Sequence, residues 1–217
     1  MKARRLRIAA CAVAAGLASA AVPAFAFDDA ALLARLEALR VEHGIAGVGL
    51  VIVADGKVAY AGGLGVADRA SGRPVDADTL WRVGSVTKSF TGLATLLAAR
   101  EDGFDLDAPV RSLVSDAPFE NPWESTYPVR VGQLLEHTAG FMDLSKREFD
   151  STDPAPLTLA QAFAVDPASR TVRWQPGRYS SYSNSGAGLA ALVIERTTGQ
   201  RYEDFVTTQI LRPLGMH

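Results

Sequence analysis

Val83-Gly84-Ser85-Val86-Thr87-Lys88-Ser89-Phe90 is the stretch on which the reading of this chain turns. It opens an apolar-periodic run over 85–100, in which Val86, Phe90, Leu93 and Leu97 share one helical face. Gly103 follows as a stop signal. Lys88 lies three residues after Ser85, and positions i and i+3 adjoin on a helix surface, so both side chains can enter one cleft. A serine in the first helical turn sits among free backbone N–H groups, at the positive end of the helix dipole. A serine hydroxyl stays a weak nucleophile until a base takes its proton. The pair supplies part of that activation. Taken alone, S-x-x-K is a frequent chance pattern, equally read as a helix-opening serine and a solvated lysine.

A second stretch, Tyr182-Ser183-Asn184, follows the Pro176-Gly177 turn and precedes another helical run. It can bring a phenol and an amide to the same cleft. A cation 4 Å from a phenolate, at an effective dielectric of about 20, contributes about 4 kcal/mol. Desolvation acts in the opposite direction. One placed lysine can thus bring Tyr182 towards base duty near neutral pH. Asn184 can donate to a substrate carbonyl and accept from a lysine. Standing alone, the triplet reads as a surface tyrosine and a helix-capping asparagine.

With Leu134-Leu135-Glu136-His137-Thr138-Ala139-Gly140 and Leu211-Arg212-Pro213-Leu214-Gly215-Met216, these motifs resemble the serine β-lactamase and penicillin-binding protein superfamily. The similarity is strongest to its class C β-lactamase and DD-peptidase-like branch, which also holds esterases. It runs in order from about residue 30 to the end. The resemblance implies that Ser85 is the acylated nucleophile, Lys88 its electrostatic and proton-shuttling partner, Tyr182 the general base, and Asn184 a substrate and network contact. It gives His137 a structural place. The fold implied is α/β (α+β), β-lactamase/transpeptidase-like, with a helical lobe beside an antiparallel sheet lobe. The substrates implied are a β-lactam, a D-amino-acid peptide or a small ester. A non-catalytic penicillin- or peptidoglycan-binding remnant of the same fold is the alternative.

The family's third motif, K-T-G or H-x-G on a later strand, does not follow Asn184 within these 217 residues. In the family that strand supplies one of two oxyanion-hole N–H groups, and losing one such donor costs about 10²–10³ in rate. The sequence therefore reads as the N-terminal part of a longer enzyme, with C-terminal strands and a helix missing and the sheet lobe incomplete. The organisation expected is 27–82 for a helix and β-hairpin and 83–217 for a mostly helical lobe. An unpaired sheet edge then offers a route to self-association.

The hairpin is legible on its own terms. Leu32, Leu33, Leu36 and Leu39 stripe a first helix that Asp28 can cap and Gly44 can end. Two apolar runs, 48–53 and 57–61, flank Asp55-Gly56, a strong hairpin signal. The first run is apolar on both faces and is expected to be covered on both. Residues 62–80 read as irregular, with Gly63-Leu64-Gly65 as a turn, and 104–128 and 138–157 read as loops. Shorter helices are expected over 131–137, 158–165, 186–198 and 202–211.

Residues 1–26 stand apart. Lys2, Arg4, Arg5 and Arg7 precede a small-residue apolar run and Ala24-Phe25-Ala26, a secretory signal pattern cut after Ala26. The product expected is secreted or periplasmic. Those residues carry four basic and no acidic side chains, so the remainder has 18 Lys and Arg against 24 Asp and Glu, a net charge of −6. That balance argues against a nucleic-acid partner or an anionic membrane surface and favours a small-molecule or peptide substrate. Cys11 is the sole cysteine, so no disulfide is expected after cleavage. His43, His137 and His217 lack ligand spacing, and neither metal nor cofactor is expected.

Overall fold

The computed structural model describes residues 29–149, 155 and 157–216. The signal-peptide reading of 1–26 and the Asp28 cap lie outside the described residues. The chain divides into two compact units, Met1–Trp81 and Arg82–His217.

In the first unit, α1 (Asp29–Glu42) leads into an antiparallel pair, β1 (Gly47–Ala54) and β2 (Lys57–Gly65). Asp55 and Gly56 both have positive φ, as a two-residue hairpin turn with the strands' own twist requires. The register runs from Ala54 opposite Lys57 to Gly47 opposite Gly65, with a bulge beside Val53. Gly63-Leu64-Gly65, expected in a turn, is instead the end of β2. Pairing to Gly47, Val48 and Gly49 holds it in the sheet, and Val75 packs against the bare Gly63 Cα. Two-sided cover of β1 is not seen either. Val51, Val53 and Val58 are exposed, and Val75 is the only apolar side chain of this unit buried among the described residues.

The second unit is helical. A 3₁₀ turn, Gly84–Val86, runs into α2 (Thr87–Asp102). Short helices α3 (Val110–Leu113), α4 (Val131–Leu135), α5 (Lys146–Phe149) and α6 (Leu159–Val165) follow. Then come α7 (Asn184–Thr198) and α8 (Tyr202–Val206), which widens to π geometry over Thr207–Leu211. α3 and α5 fall where loops were expected, since single turns are too short to show periodicity. Gly103 and Gly199 close α2 and α7 in the left-handed region, each returning its N–H to the last turn.

α7 is the centre of this unit. Leu189, Ala190, Ala191, Leu192, Val193 and Ile194 are all buried, which leaves it hydrophobic nearly all round. It packs on α2 through a face of small residues, Thr91, Ala94, Thr95 and Ala98. The face carrying Val86, Phe90, Leu93 and Leu97 is not the one buried deepest: Val86 and Leu93 are exposed, and Phe90 and Leu97 are only partly buried. Helix–helix proximity selected the small side chains for the interface, a choice that periodicity of large residues does not show.

The α4–α7 contact is closer still. A Cβ added at Gly186 would lie 2.9 Å from the Leu134 carbonyl oxygen. Gly186→Ala should destabilise the unit by about 1–3 kcal/mol through overpacking. A fall in the urea midpoint with the slope unchanged is the measurement that checks it.

Arg170 forms a second fixed point. Its side chain is 1% exposed and pairs at 2.7 Å with Glu148, 5% exposed. A guanidinium has five N–H donors. Here they meet Glu148, Ser169 Oγ and the carbonyl oxygens of Pro118, Phe163 and Asp166. Glu148 also accepts the Ser145 N–H through its second oxygen at 2.9 Å. The loop at Pro118, the end of α6 and α5 are thereby tied to one buried charge.

Candidate active site

Ser85 lies on the 3₁₀ turn and Lys88 is the second residue of α2, so the pair spans the junction of the two helices. Gly84 holds a positive φ of 54°, which aims the chain into that turn. The Lys88 ammonium donates to Ser85 Oγ at 3.4 Å. The expected adjacency of hydroxyl and cation is present, though on a 3₁₀ turn and not inside an α-helix.

Tyr182 reaches the same place across 97 residues of chain. Its Oη lies 2.6 Å from Ser85 Oγ. The segment that carries it is fastened to the loop after α4. Gly177 donates to the Thr138 carbonyl and Ser181 to the His137 carbonyl. The Ser183 N–H donates to His137 Nδ1 at 3.3 Å, and the Ser183 hydroxyl to the Met142 carbonyl at 2.9 Å. The His137 ring also lies against the Tyr182 ring, centroids 4.4 Å apart. His137 has φ of 60°, unusual for a non-glycine residue, and this bend both ends the α4 region and presents the ring to Tyr182.

Asn184 is the first residue of α7. Its Oδ1 accepts from Lys88 Nζ at 2.5 Å. Its backbone N–H and its Nδ2 both donate to Asp143 Oδ1, each at 2.9 Å. The four residues singled out in the sequence, Ser85, Lys88, Tyr182 and Asn184, are thus brought together. Asp143 was not singled out. It stands in a stretch read as loop, and only its contact with Asn184, 41 residues away, gives it a place.

The electrostatics follow from the contacts. The Lys88 ammonium beside the phenol, and then the hydrogen bond with Ser85, hold Tyr182 below the ordinary tyrosine range; slight burial and the Asp143 charge oppose them. Lys88 Nζ also sits 4.9 Å from the Tyr182 ring centre. Partial burial pushes Asp143 up, but N–H donation from Asn184 and Leu144, with Lys88 nearby, outweighs it and holds the carboxyl low. Tyr182 is 48% exposed, so the pair of oxygens is open to an incoming molecule. The Ser85 N–H makes no hydrogen bond among the described residues. A phenol within hydrogen-bond reach of a serine hydroxyl, a cation beside them and a free N–H are groups of the kind that nucleophilic attack on a carbonyl requires.

Residues 31–217 match the family model described as Beta-lactamase. The chain is 32% identical over 207 residues to esterase EstB of Burkholderia gladioli, covering 89% of this chain and 52% of that protein. Among solved structures, an octameric penicillin-binding protein homologue from Pyrococcus abyssi is similar with a TM-score of 0.74 at 32% identity, over 88% of this chain and 44% of that one. D-amino acid amidase from Ochrobactrum anthropi SV3 is similar with a TM-score of 0.72 at 29% identity, over 86% of this chain and 49% of that one. The chain spans about half the length of the curated relatives it matches.

Proposed function

The chain belongs to the Beta-lactamase family, and from that premise we propose that it carries the nucleophilic half of an exported serine hydrolase, forming an acyl-enzyme on Ser85. Substrates of the proposed enzyme are β-lactams, D-amino-acid peptides or amides, and small esters. The observation that carries this reading is the 2.6 Å separation of Ser85 Oγ and Tyr182 Oη, with Lys88 Nζ 3.4 Å from the serine oxygen.

The chemistry follows from those positions. The Tyr182 phenolate takes the Ser85 proton as Oγ attacks the carbonyl carbon. The oxyanion that forms faces the Ser85 N–H at the start of α2, where the helix dipole favours negative charge. The carbonyl re-forms, the bond to the leaving group breaks, and the phenol returns its proton to that group. Water then attacks the acyl carbon and gives its proton to Tyr182, the acyl–Oγ bond breaks, and Tyr182 returns the proton to Ser85 Oγ. Esterase, amidase and penicillin-binding relatives support acyl transfer as the common chemistry.

The test is covalent labelling. The folded chain, verified by circular dichroism, is incubated with a fluorophosphonate and separately with a penicillin. Intact-mass analysis should show one adduct, and peptide mapping should place it on Ser85. A folded chain that takes up neither probe would instead support a non-catalytic binding role.

A further inference from the structure

We propose that Asp143 is a positioning residue of this site: its carboxylate fixes the Asn184 amide so that Oδ1 faces the Lys88 ammonium. The role in acylation rests on the serine-hydrolase reading; the positioning itself rests on geometry alone.

Asp143 Oδ1 accepts three N–H groups: Asn184 N and Asn184 Nδ2, each at 2.9 Å, and Leu144 N at 2.8 Å. An ionised carboxylate only accepts, and a lysine ammonium only donates. An asparagine amide held between them has one satisfied orientation. Nδ2 must face Asp143, and Oδ1 must face Lys88 Nζ, as it does at 2.5 Å. Without the carboxylate the amide is free to turn, and its NH2 group then meets the ammonium donor to donor. Lys88 would lose its anchor, and with it the placement that serves Ser85 Oγ and the Tyr182 ring. The Asp143 loop is itself anchored, since the Ser145 N–H two residues on is held by the buried Glu148.

Charge and positioning make opposite demands on Tyr182, and this separates them. Lys88 from α2, His137 from the loop after α4 and Asp143 from the loop before α5 are the titratable groups facing the phenol. The Asp143 charge, acting directly, keeps the proton on Tyr182. Removing only that charge therefore makes the phenol ionise at lower pH. Releasing Lys88 makes it ionise at higher pH.

The experiment compares wild type, Asp143→Asn and Asp143→Ala. The Tyr182 phenolate is followed by ultraviolet absorbance against a Tyr182→Phe reference, and Ser85 labelling by fluorophosphonate. Asp143→Asn keeps an oxygen for the Asn184 donors and loses the charge; its phenol should titrate lower, with labelling largely retained. Asp143→Ala should titrate above Asp143→Asn and label about 10²-fold more slowly than wild type, as expected of a displaced catalytic group. Equal downward shifts in both variants with equal labelling, or no shift in either, would overturn the proposal. If folded wild type does not label, the hydrolase reading fails, while the order of the three phenol titrations still decides the positioning role.

Discussion

Tyr182→Phe should slow acylation of Ser85 by about 10²–10⁴-fold, the span typical of removing a placed general base. The phenol oxygen is the group nearest the serine oxygen, at 2.6 Å. Phenylalanine keeps the ring, and so keeps the stacking on His137. The loss then reports proton transfer and not a collapsed segment. The pH dependence has a definite sign. The base form of Tyr182 is the phenolate, so the wild-type rate rises with pH through the phenol's ionisation. That rise comes at lower pH than for a free tyrosine, because the Lys88 ammonium and then the Ser85 hydrogen bond hold the phenol down. Tyr182→Phe should lose this limb of the profile. Time-resolved intact-mass labelling over a pH series measures both effects, with Ser85→Ala as the unlabelled reference. A Tyr182→Phe rate within a few-fold of wild type, with the rising limb preserved, would show that another group takes the proton.

The second large effect lies away from the site. Arg170→Met should destabilise the helical unit by about 3–5 kcal/mol, because it leaves the Glu148 carboxylate buried without its charge partner. The pair Arg170→Met with Glu148→Leu should cost clearly less than Arg170→Met alone, since a buried ion pair replaced as a whole leaves no stranded charge. Denaturant midpoints of the three variants test this. A double variant as unstable as the single one would mean that the carbonyl contacts of Arg170 dominate, and not its pairing with Glu148.

Much of the site was legible before any coordinates. Ser85 and Lys88 are close in the chain, and their spacing alone brings them to one face. Tyr182 and Asn184, between a Pro-Gly turn and a helix, read locally as a surface tyrosine and a cap, and they gain a place in the site only through the family resemblance. What the sequence withheld was long-range. Asp143 is one aspartate among many in a loop, and no local pattern ties it to Asn184. The same holds for Arg170, whose charge looks solvated until Glu148 and three carbonyl oxygens surround it. In the fold, the hairpin turn at Asp55-Gly56 and the stop at Gly103 were readable because each depends on a residue's own backbone freedom. The face that α2 buries was not legible, for the opposite reason. Its large residues set the visible rhythm, while its small ones set the distance to α7.

The clasp around Arg170 also bears on how such a sequence can drift. Three of its five acceptors are carbonyl oxygens, at Pro118, Phe163 and Asp166. Every residue type presents that same oxygen. At Pro118 and Asp166 a mutation therefore leaves the clasp intact so long as the backbone keeps its path, whereas the Phe163 ring also lies under the guanidinium. Arg170 and Glu148 have no such latitude. The clasp depends on a route through space more than on the letters along it.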